Sequence, residues 1–331
     1  MPAETRSSHI ALYQKGRAGM KRLSAIVPIR LTGSISPMLQ RLETLLKSTE
    51  SSIIVNIVDD TPDEIASYHA FKIAKQYRHA SFIRNEESSR ESFSVGLLRD
   101  VGAKETVAEI VIFHDLDFFA PPDVYSKLHS LISEKLSCEL FGGGFLCIAG
   151  GFLSRFGTIA ARGLDERRWG GLVSPWARRL GLVDRLVMAS SAIVVDRRVL
   201  LAEGGHSSAF TGHGAEDFEL MHRLAMARPR GPRPPDYHVD YGSRGAHRGG
   251  FRGYFARYAA PLAAEGLHLA HAWHPRREED PRYYAEQKRN FVRLQAQLRA
   301  SMSDERADGD RWNDLVDDRS GPLSSAADPD R

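Results

Sequence analysis

The sequence is poor in cysteine, carries no large excess of charge of either sign, and contains no long unbroken hydrophobic run. Its two cysteines, Cys138 and Cys147, cannot form a disulfide framework and fit a reducing compartment. The formal net charge of +3 over 331 residues produces no global field that would attract nucleic acid. The longest apolar stretch, residues 140–156, is too short and too rich in glycine for a membrane span. These absences argue against a disulfide-rich secreted domain, a nucleic-acid-binding protein and an integral membrane protein.

The composition is that of an ordinary globular protein, with 42% hydrophobic and 26% charged residues. The first twenty residues carry scattered charges and lack the apolar segment of a signal peptide. We therefore expect a cytoplasmic protein, and leave open attachment at the inner face of the membrane. Polarity and weak periodicity predict a flexible arm over residues 1–20 and a disordered acidic tail over residues 303–331. A single large domain is expected between them, over residues 21–302.

Short apolar runs alternate with amphipathic segments through the first half of the chain. We predict strands at residues 23–29, 53–58, 81–84 and 110–113. Helices are predicted to open at Ser36, which precedes a proline, at the capping box of residues 61–64, and near residue 93. In the second half, a strand is predicted over residues 186–195 and helices over residues 216–227 and 281–298. Alternating strands and helices predict the α/β class, with a doubly wound, mostly parallel sheet.

Two carboxylates follow the buried strand predicted at residues 110–113. Asp115 and Asp117 are separated by one residue, so on a continuing strand they would share one face. Two acids held this close destabilise each other unless a cation joins them, and carboxylate oxygens favour a hard ion such as Mg²⁺ or Mn²⁺. Ligands of α/β proteins collect at the carboxyl ends of the strands. The pair therefore predicts a strand-end metal site for an anionic, phosphate-bearing ligand; the alternative is a solvated turn with two surface acids.

A second cluster combines glycines with acidic residues. Gly212, His213 and Gly214 precede Glu216 and Asp217, which fall at the predicted start of a helix. Glycines permit a tight turn and close approach to a ligand, and the helix dipole favours ionised acids at this end. A carboxylate near a bound hydroxyl is a candidate general base. The alternative is a capped helix behind a glycine-rich turn, which does not require glycines on both sides of a histidine.

A third cluster consists of three histidines within seven residues, His268, His271 and His274. Histidine adds nitrogen ligands to a carboxylate site and shifts its preference toward Mn²⁺ and other transition ions. The segment is therefore a candidate metal-ligating or substrate-contacting site, and surface histidines without a function are the alternative.

Together, these clusters resemble the motifs of GT-A-fold glycosyltransferases. The similarity is to the family 2 and family 7 group, which includes the β-1,4-galactosyltransferases and bacterial capsule or chondroitin-type polymerases. Five segments occur in the order of that group between residues 22 and 298. They are the first strand (25–30), a helix beginning with Phe-Ser (93–102), the Asp-x-Asp motif (115–117), the Gly-x-Gly-x-Glu-Asp motif (212–217), and the histidine pair His271 and His274.

The resemblance implies a metal-dependent, inverting sugar transfer from a nucleotide-diphosphate sugar, with a UDP-sugar favoured, to a saccharide acceptor. Residues 21–120 would form the nucleotide-sugar half and residues 121–302 the acceptor half. The implied roles are general base for Asp217; acceptor binding for Glu216, His213 and Gly214; donor binding for Pro28, Arg30, Asp59, Arg90, Ser94 and Asp115; and binding of Mn²⁺ or Mg²⁺ for Asp115, Asp117 and His274 or His271.

The sequence departs from the group at two implied site positions. His213 stands where the galactosyltransferases have a tryptophan, and Ser94 stands where an asparagine is usual near the nucleotide. A histidine offers less stacking area, so the acceptor need not resemble theirs. We expect a role in surface or capsular polysaccharide synthesis, with a peripheral membrane or assembly partner left open.

Two alternatives to sugar transfer are a nucleotidyltransferase and a non-catalytic sugar-binding protein. A nucleotidyltransferase acting on sugar phosphates would require a glycine-rich phosphate loop with a lysine after the first strand, and residues 28–34 match that pattern poorly. A non-catalytic sugar-binding protein on a transferase fold would be favoured by loss of Asp115, Asp117 or Asp217, and all three are present.

Overall fold

The computed structural model describes residues 22–49, 53–85, 93–134, 144–162, 179–245, 249–275 and 284–317. The strands are β1 (Leu23–Ile29), β2 (Ile54–Asp59), β3 (Ala80–Arg84), β4 (Ile110–Phe113), β5 (Phe118–Phe119), β6 (Phe145–Cys147), β7 (Ala149–Leu153), β8 (Val183–Val187), β9 (Ile193–Asp196) and β10 (His268–His271). The helices are α1 (Ser36–Thr49), α2 (Glu64–Ala74), α3 (Val95–Glu105), α4 (Pro122–Glu134), α5 (Arg155–Arg162), α6 (Arg197–Ala202), α7 (Glu216–Ala227), α8 (Gly242–Gly245), α9 (Gly250–Ala264) and α10 (Gln287–Asp317).

The strands form a six-stranded sheet and a smaller four-stranded sheet. The large sheet has the order β3-β2-β1-β4-β9-β6, in which the first four strands are parallel and the last two pairings are antiparallel. The small sheet has the order β5-β10-β7-β8. The predicted α/β class with a mostly parallel central sheet is confirmed.

The large sheet separates two hydrophobic cores, because alternate residues of each strand face opposite sides. In β1, Ala25 and Val27 belong to one core and Ile26 belongs to the other. The first core also contains buried residues of α1, α2 and α4, and the second contains residues of α3, α7, α9 and α10. Helices therefore cover both faces of the large sheet, and the ends of its strands lie between the two helical layers.

The cap of helix α2 lies at Asp63 rather than at Thr61, the first residue of the predicted capping box. Helix α2 is capped by Asp63, whose Oδ1 accepts a hydrogen bond from the Ala66 amide at 2.7 Å. Thr61, the first residue of the predicted capping box, instead accepts a hydrogen bond from the Leu31 amide at 3.0 Å. Its hydroxyl thus ties the loop after β2 to the end of β1.

Two segments of the second half differ from the sequence prediction. The strand predicted over residues 186–195 is two strands, β8 and β9, which belong to different sheets. The final helix runs to Asp317, so residues 303–317 of the predicted tail are helical. The predicted arm over residues 1–20, Cys138 and the end of the predicted tail, residues 318–331, lie outside the described residues. Among the helices that the structure describes, none combines the length and hydropathy required to cross a membrane.

We expect Gly102→Ala to destabilise the packing of α3 on the large sheet. A Cβ at this position would lie 2.9 Å from Cγ2 of Val58 and closer still to Cγ2 of Ile26. Overpacking of this kind typically costs about 1–3 kcal/mol. Urea denaturation should show this loss. Lys104→Ala, at an exposed site of the same helix, should change the free energy of unfolding by less than about 0.5 kcal/mol. Equal stability of the two variants would contradict the close helix–sheet contact.

Candidate active site

A cavity of about 820 Å³, including its open mouth, lies at the carboxyl ends of β1 and β4. Nine of the predicted site residues line it: Pro28, Arg30, Asp115, Asp117, His213, Glu216, Asp217, His271 and His274. Segments that are far apart in the sequence therefore converge on one cavity, as expected for a ligand site at the edge of an α/β sheet.

Asp117 and the two downstream histidines form a compact cluster on the cavity wall. One ligand atom from each of Asp117, His271 and His274 lies within 4.8 Å of the others. Nε2 of His274 is 3.3 Å from Oδ2 of Asp117, and Nδ1 of His274 lies 2.9 Å from the carbonyl oxygen of Pro275. A hydrogen bond donated from Nδ1 to that carbonyl leaves Nε2 available as a ligand. Both histidines therefore belong to the cluster, so the structure does not require a choice between them.

The His271 ring is held by two phenylalanines. It stacks on Phe152 with a centroid distance of 4.4 Å and meets Phe118 edge-on at 5.0 Å. Burial lowers the pKa of His271, and the nearby charge of Asp117 offsets this effect only in part. The imidazole is therefore neutral near neutral pH, which is the form that binds a metal ion. Asp117 also pairs with Arg41 of α1.

Asp115 is not a member of this cluster. Strand β4 ends at Phe113, so the prediction that Asp115 and Asp117 share one strand face is wrong; both lie in the turn before β5. The Asp115 carboxylate accepts hydrogen bonds from Nη2 of Arg99 at 2.6 Å and from Oγ of Ser191 at 2.7 Å. Burial raises the pKa of Asp115, but Arg99 and Ser191 outweigh it and hold the pKa below its usual value. Its role as a metal ligand stays a prediction.

Arg99 is the central site residue that the sequence prediction missed. Its side chain is 1% exposed, and its guanidinium bridges Asp115 and Asp217. Burial lowers the pKa of Arg99, yet the two carboxylates outweigh burial and raise it, so the group stays charged. The guanidinium also lies 5.4 Å from the Phe113 ring centroid. A signal was present in the sequence, because an arginine at the helical spacing of the apolar face must enter the core.

Glu216 and Asp217 have contrasting environments although they are adjacent. Asp217 is paired with Arg99, whereas Glu216 is 6% exposed and its Oε2 has no hydrogen-bond partner. Burial, together with the charge of Asp217, raises the pKa of Glu216 to about 7. The backbone before them takes left-handed conformations at Gly214 (φ 96°) and Ala215 (φ 70°). This turn directs both acids toward the cavity.

Three predicted site residues do not line the cavity. Asp59 is fully buried and accepts hydrogen bonds from the Thr61 amide and the Ser67 hydroxyl, while its neighbour Asp60 pairs with Arg30 at 2.8 Å. Ser94 caps α3 and forms a backbone bridge with Gly212. Gly214 shapes the turn before α7 without contributing to the lining. Arg90, also predicted to bind the donor, lies outside the described residues.

The fold and the site define an α/β protein with a ligand cavity lined by carboxylates and histidines. The glycosyltransferase-like family 2 model matches residues 24–299, and the chain therefore belongs to that family. No curated protein sequence matches the chain at a significant level.

Solved structures with a similar fold include three glycosyltransferases. Residues 1–349 of TarS from S. aureus share 16% identity with a TM-score of 0.40, covering 61% of this chain and 55% of that one. GalNAc-T7 with UDP, GalNAc and Mn²⁺ shares 16% identity with a TM-score of 0.39, covering 63% and 41%. PcManGT from Pyrobaculum calidifontis, a mannosyltransferase in complex with GDP-Man and Mn²⁺, shares 15% identity with a TM-score of 0.42, covering 80% and 83%. This chain thus spans about half the length of the first two.

Glu216→Gln should flatten the pH dependence of stability. The folded protein keeps the Glu216 proton up to about pH 7, whereas the unfolded carboxyl ionises near its ordinary value of 4.5. The free energy of unfolding of the wild type therefore falls as the pH rises through this window, by about 1.4 kcal/mol per pKa unit. Urea denaturation between pH 4.5 and 7 should show a shallower fall for Glu216→Gln. Glu64→Gln, at an exposed site in α2, should keep the wild-type slope; an unchanged slope in Glu216→Gln would contradict a buried, protonated carboxyl.

Proposed function

We propose that this chain is a metal-dependent, inverting glycosyltransferase that moves a sugar from a nucleotide-diphosphate sugar to a saccharide acceptor. The observation that carries the proposal is one cavity lined by two different functional clusters. Asp117, His271 and His274 lie on its wall, and the Glu216–Asp217 pair opens into it at the start of α7. Membership of the glycosyltransferase-like family 2 supports the same chemistry.

Asp117, His271 and His274 fit a resident Mn²⁺ or Mg²⁺ ion. The cluster combines one carboxylate with two imidazoles, a donor set that suits Mn²⁺ better than Mg²⁺. A bound ion would neutralise the charge that grows on the departing nucleotide diphosphate. Arg41, which pairs with Asp117, and Arg99 add positive charge around the same region of the cavity. Pro28 and Arg30, at the end of β1, would contact the nucleotide, for which a UDP-sugar is the favoured donor.

Asp217 would act as the general base. Its carboxylate would take the proton of the acceptor hydroxyl while that oxygen attacks the anomeric carbon on the face opposite the leaving group. Its pairing with Arg99 holds the carboxylate at the cavity wall. Proton transfer then becomes favourable once the attacking hydroxyl has become more acidic by bonding to the sugar. Glu216 would hold the acceptor through hydrogen bonds, since the residue lines the cavity and one of its oxygens has no hydrogen-bond partner.

An aromatic surface for the acceptor would be formed by His213 and Tyr284. Both residues line the cavity, and their rings meet edge-on with a centroid distance of 5.2 Å. Sugar rings pack on aromatic faces of this kind. Tyr284 therefore compensates in part for the smaller stacking area of His213. An acceptor in a surface or capsular polysaccharide, made at the inner face of the membrane, would suit this site.

The two other candidate functions are less well supported. A nucleotidyltransferase has no need of an acceptor base, whereas here Asp217 is held at the cavity by a buried arginine. A non-catalytic sugar-binding protein has no need of an aspartate with two histidines on the same wall.

His271→Ala and His274→Ala should each weaken Mn²⁺ binding by about tenfold or more, the size of effect that follows loss of a ligand or of its supporting contacts. Isothermal titration calorimetry with Mn²⁺ measures the change directly. The matched control is His268→Ala on the same strand, three residues before His271 and outside the cluster, and it should bind Mn²⁺ as the wild type does. Wild-type affinity in both test variants would contradict the metal site.

Asp217→Asn should lower kcat by roughly 10²- to 10⁴-fold, since general base catalysis typically contributes that much. Binding of the nucleotide-sugar should stay close to wild type, and Glu216→Gln should instead raise KM for the acceptor. Sugar transfer from UDP-sugars in the presence of Mn²⁺ provides the assay. Asp123→Asn makes the same change in the first turn of α4, away from the cavity, and should keep full turnover. Full turnover by Asp217→Asn would exclude the proposed mechanism.

A further inference from the structure

A second ion pair lies behind Asp217, on the side away from the cavity. Nδ1 of His206 is 2.8 Å from Oδ1 of Asp100, and the His206 amide donates a 2.7 Å hydrogen bond to Oδ2 of the same carboxylate. The opposite ring nitrogen, Nε2, is buried, has no hydrogen-bond partner, and lies 3.8 Å from Oδ1 of Asp217. Asp100, His206 and Asp217 thus form a line of alternating charge that ends at the cavity wall. Neither Asp100 nor His206 lines the cavity.

The surrounding backbone leaves space for this pair at two glycines. A Cβ at Gly96 would lie 2.8 Å from Cγ of His206, so only glycine allows the imidazole to sit against α3. A Cβ at Gly205 would lie 2.5 Å from Oδ2 of Asp100, and the φ of 71° also favours glycine there. The ring of His206 packs on Phe113, with a centroid distance of 5.1 Å. These contacts therefore restrain the position of the His206 ring.

The charges around His206 favour its protonated form. Asp100 and Arg99 face it from α3, and Glu216 and Asp217 face it from the start of α7. Burial and Arg99 lower the pKa of His206, but the hydrogen bond with Asp100 and the nearby carboxylate of Asp217 outweigh them and raise it. A protonated ring presents an N–H at Nε2, and the acceptor toward which it points is Asp217.

We propose that His206, fixed by Asp100, is a positioning residue that holds the Asp217 carboxylate at the cavity wall and determines the pH range in which this carboxylate accepts a proton. The inference rests on the proposed function in taking Asp217 as the base. Arg99 binds Asp217 and Asp115 together, whereas the imidazolium acts on Asp217 from the protein interior and makes no contact with Asp115 or the metal cluster. Loss of this cation would remove a positive charge from beside the carboxylate and loosen its position.

His206→Asn tests the effect on catalysis, because an asparagine amide can replace Nδ1 and keep the bond to Asp100 but does not reach Asp217. We expect kcat to fall by about tenfold to a hundredfold, the effect of a small misplacement of a catalytic group. The acid limb of the kcat–pH profile should move to higher pH, with KM for the donor unchanged. His206→Gln, whose amide reaches toward Asp217, should recover part of the loss. A wild-type rate and profile in His206→Asn would overturn the proposal.

The matched control is His222→Asn. His222 is also buried, lies on α7 and bonds to the Tyr237 hydroxyl at 3.1 Å, but it does not approach Asp217. Its loss should leave the kcat–pH profile as in the wild type. The same shift of profile in both variants would overturn the proposal, since it would mean that any buried histidine of this core has the effect.

NMR of the histidine-labelled full chain measures the coupling without reference to activity. The His206 signal is assigned by its absence in His206→Asn, and its titration midpoint should fall in both Asp217→Asn and Asp100→Asn, because each removes a negative partner. An unchanged midpoint in Asp217→Asn would overturn the proposal even if Asp100→Asn failed to fold. Full turnover by Asp217→Asn would instead contradict the proposed function. The NMR titration would then test the coupling between His206 and Asp217 independently of catalysis.

Discussion

The buried guanidinium of Arg99 is the interaction on which the rest of the site depends. Removal of an arginine from water is costly, and the paired carboxylates of Asp115 and Asp217 offset that cost here. Because the three residues come from α3, from the turn after β4 and from α7, their ion pairs fix the relative positions of these elements. Replacement of Arg99 would leave both carboxylates without their shared cation, whereas replacement of either aspartate would leave the buried guanidinium with one carboxylate partner.

A second constraint acts through the backbone of the small sheet. Strand β10 pairs with β5, and the Ala272 amide donates a 2.8 Å hydrogen bond to the carbonyl oxygen of Asp117. This pairing brings a distant segment of the chain alongside the turn that carries Asp117. His271 and His274 therefore reach the Asp117 carboxylate because of sheet pairing, and rigid elements of this kind hold ligands more reproducibly than loops do.

Glu216 and Asp217 are adjacent in the sequence but have different electrostatic environments. Asp217 has a buried cation on one side and His206 on another, whereas Glu216 is buried beside a negative charge and lacks a partner for one oxygen. Adjacent carboxylates whose environments differ this strongly can take different protonation states at one pH, which is how many active sites separate a base from a hydrogen-bond donor. In this chain the difference arises from tertiary contacts rather than from the residue types.

The sequence by itself determined the elements and motifs that depend on near neighbours. The parallel strands, the helix at Ser36 and the acidic start of α7 follow from apolar spacing, proline and glycine, which act over a few residues. A site next to Asp115 could be expected because ligands of α/β proteins collect at the carboxyl ends of strands. The resemblance to GT-A glycosyltransferases implied that the other two motifs join it. Tertiary structure alone decided that β4 ends before Asp115, that residues 186–195 divide between two sheets, and that Asp59 turns inward. Tertiary structure also placed Arg99 and His206 next to Asp217. All of these features depend on pairing and burial between segments that are distant in the sequence.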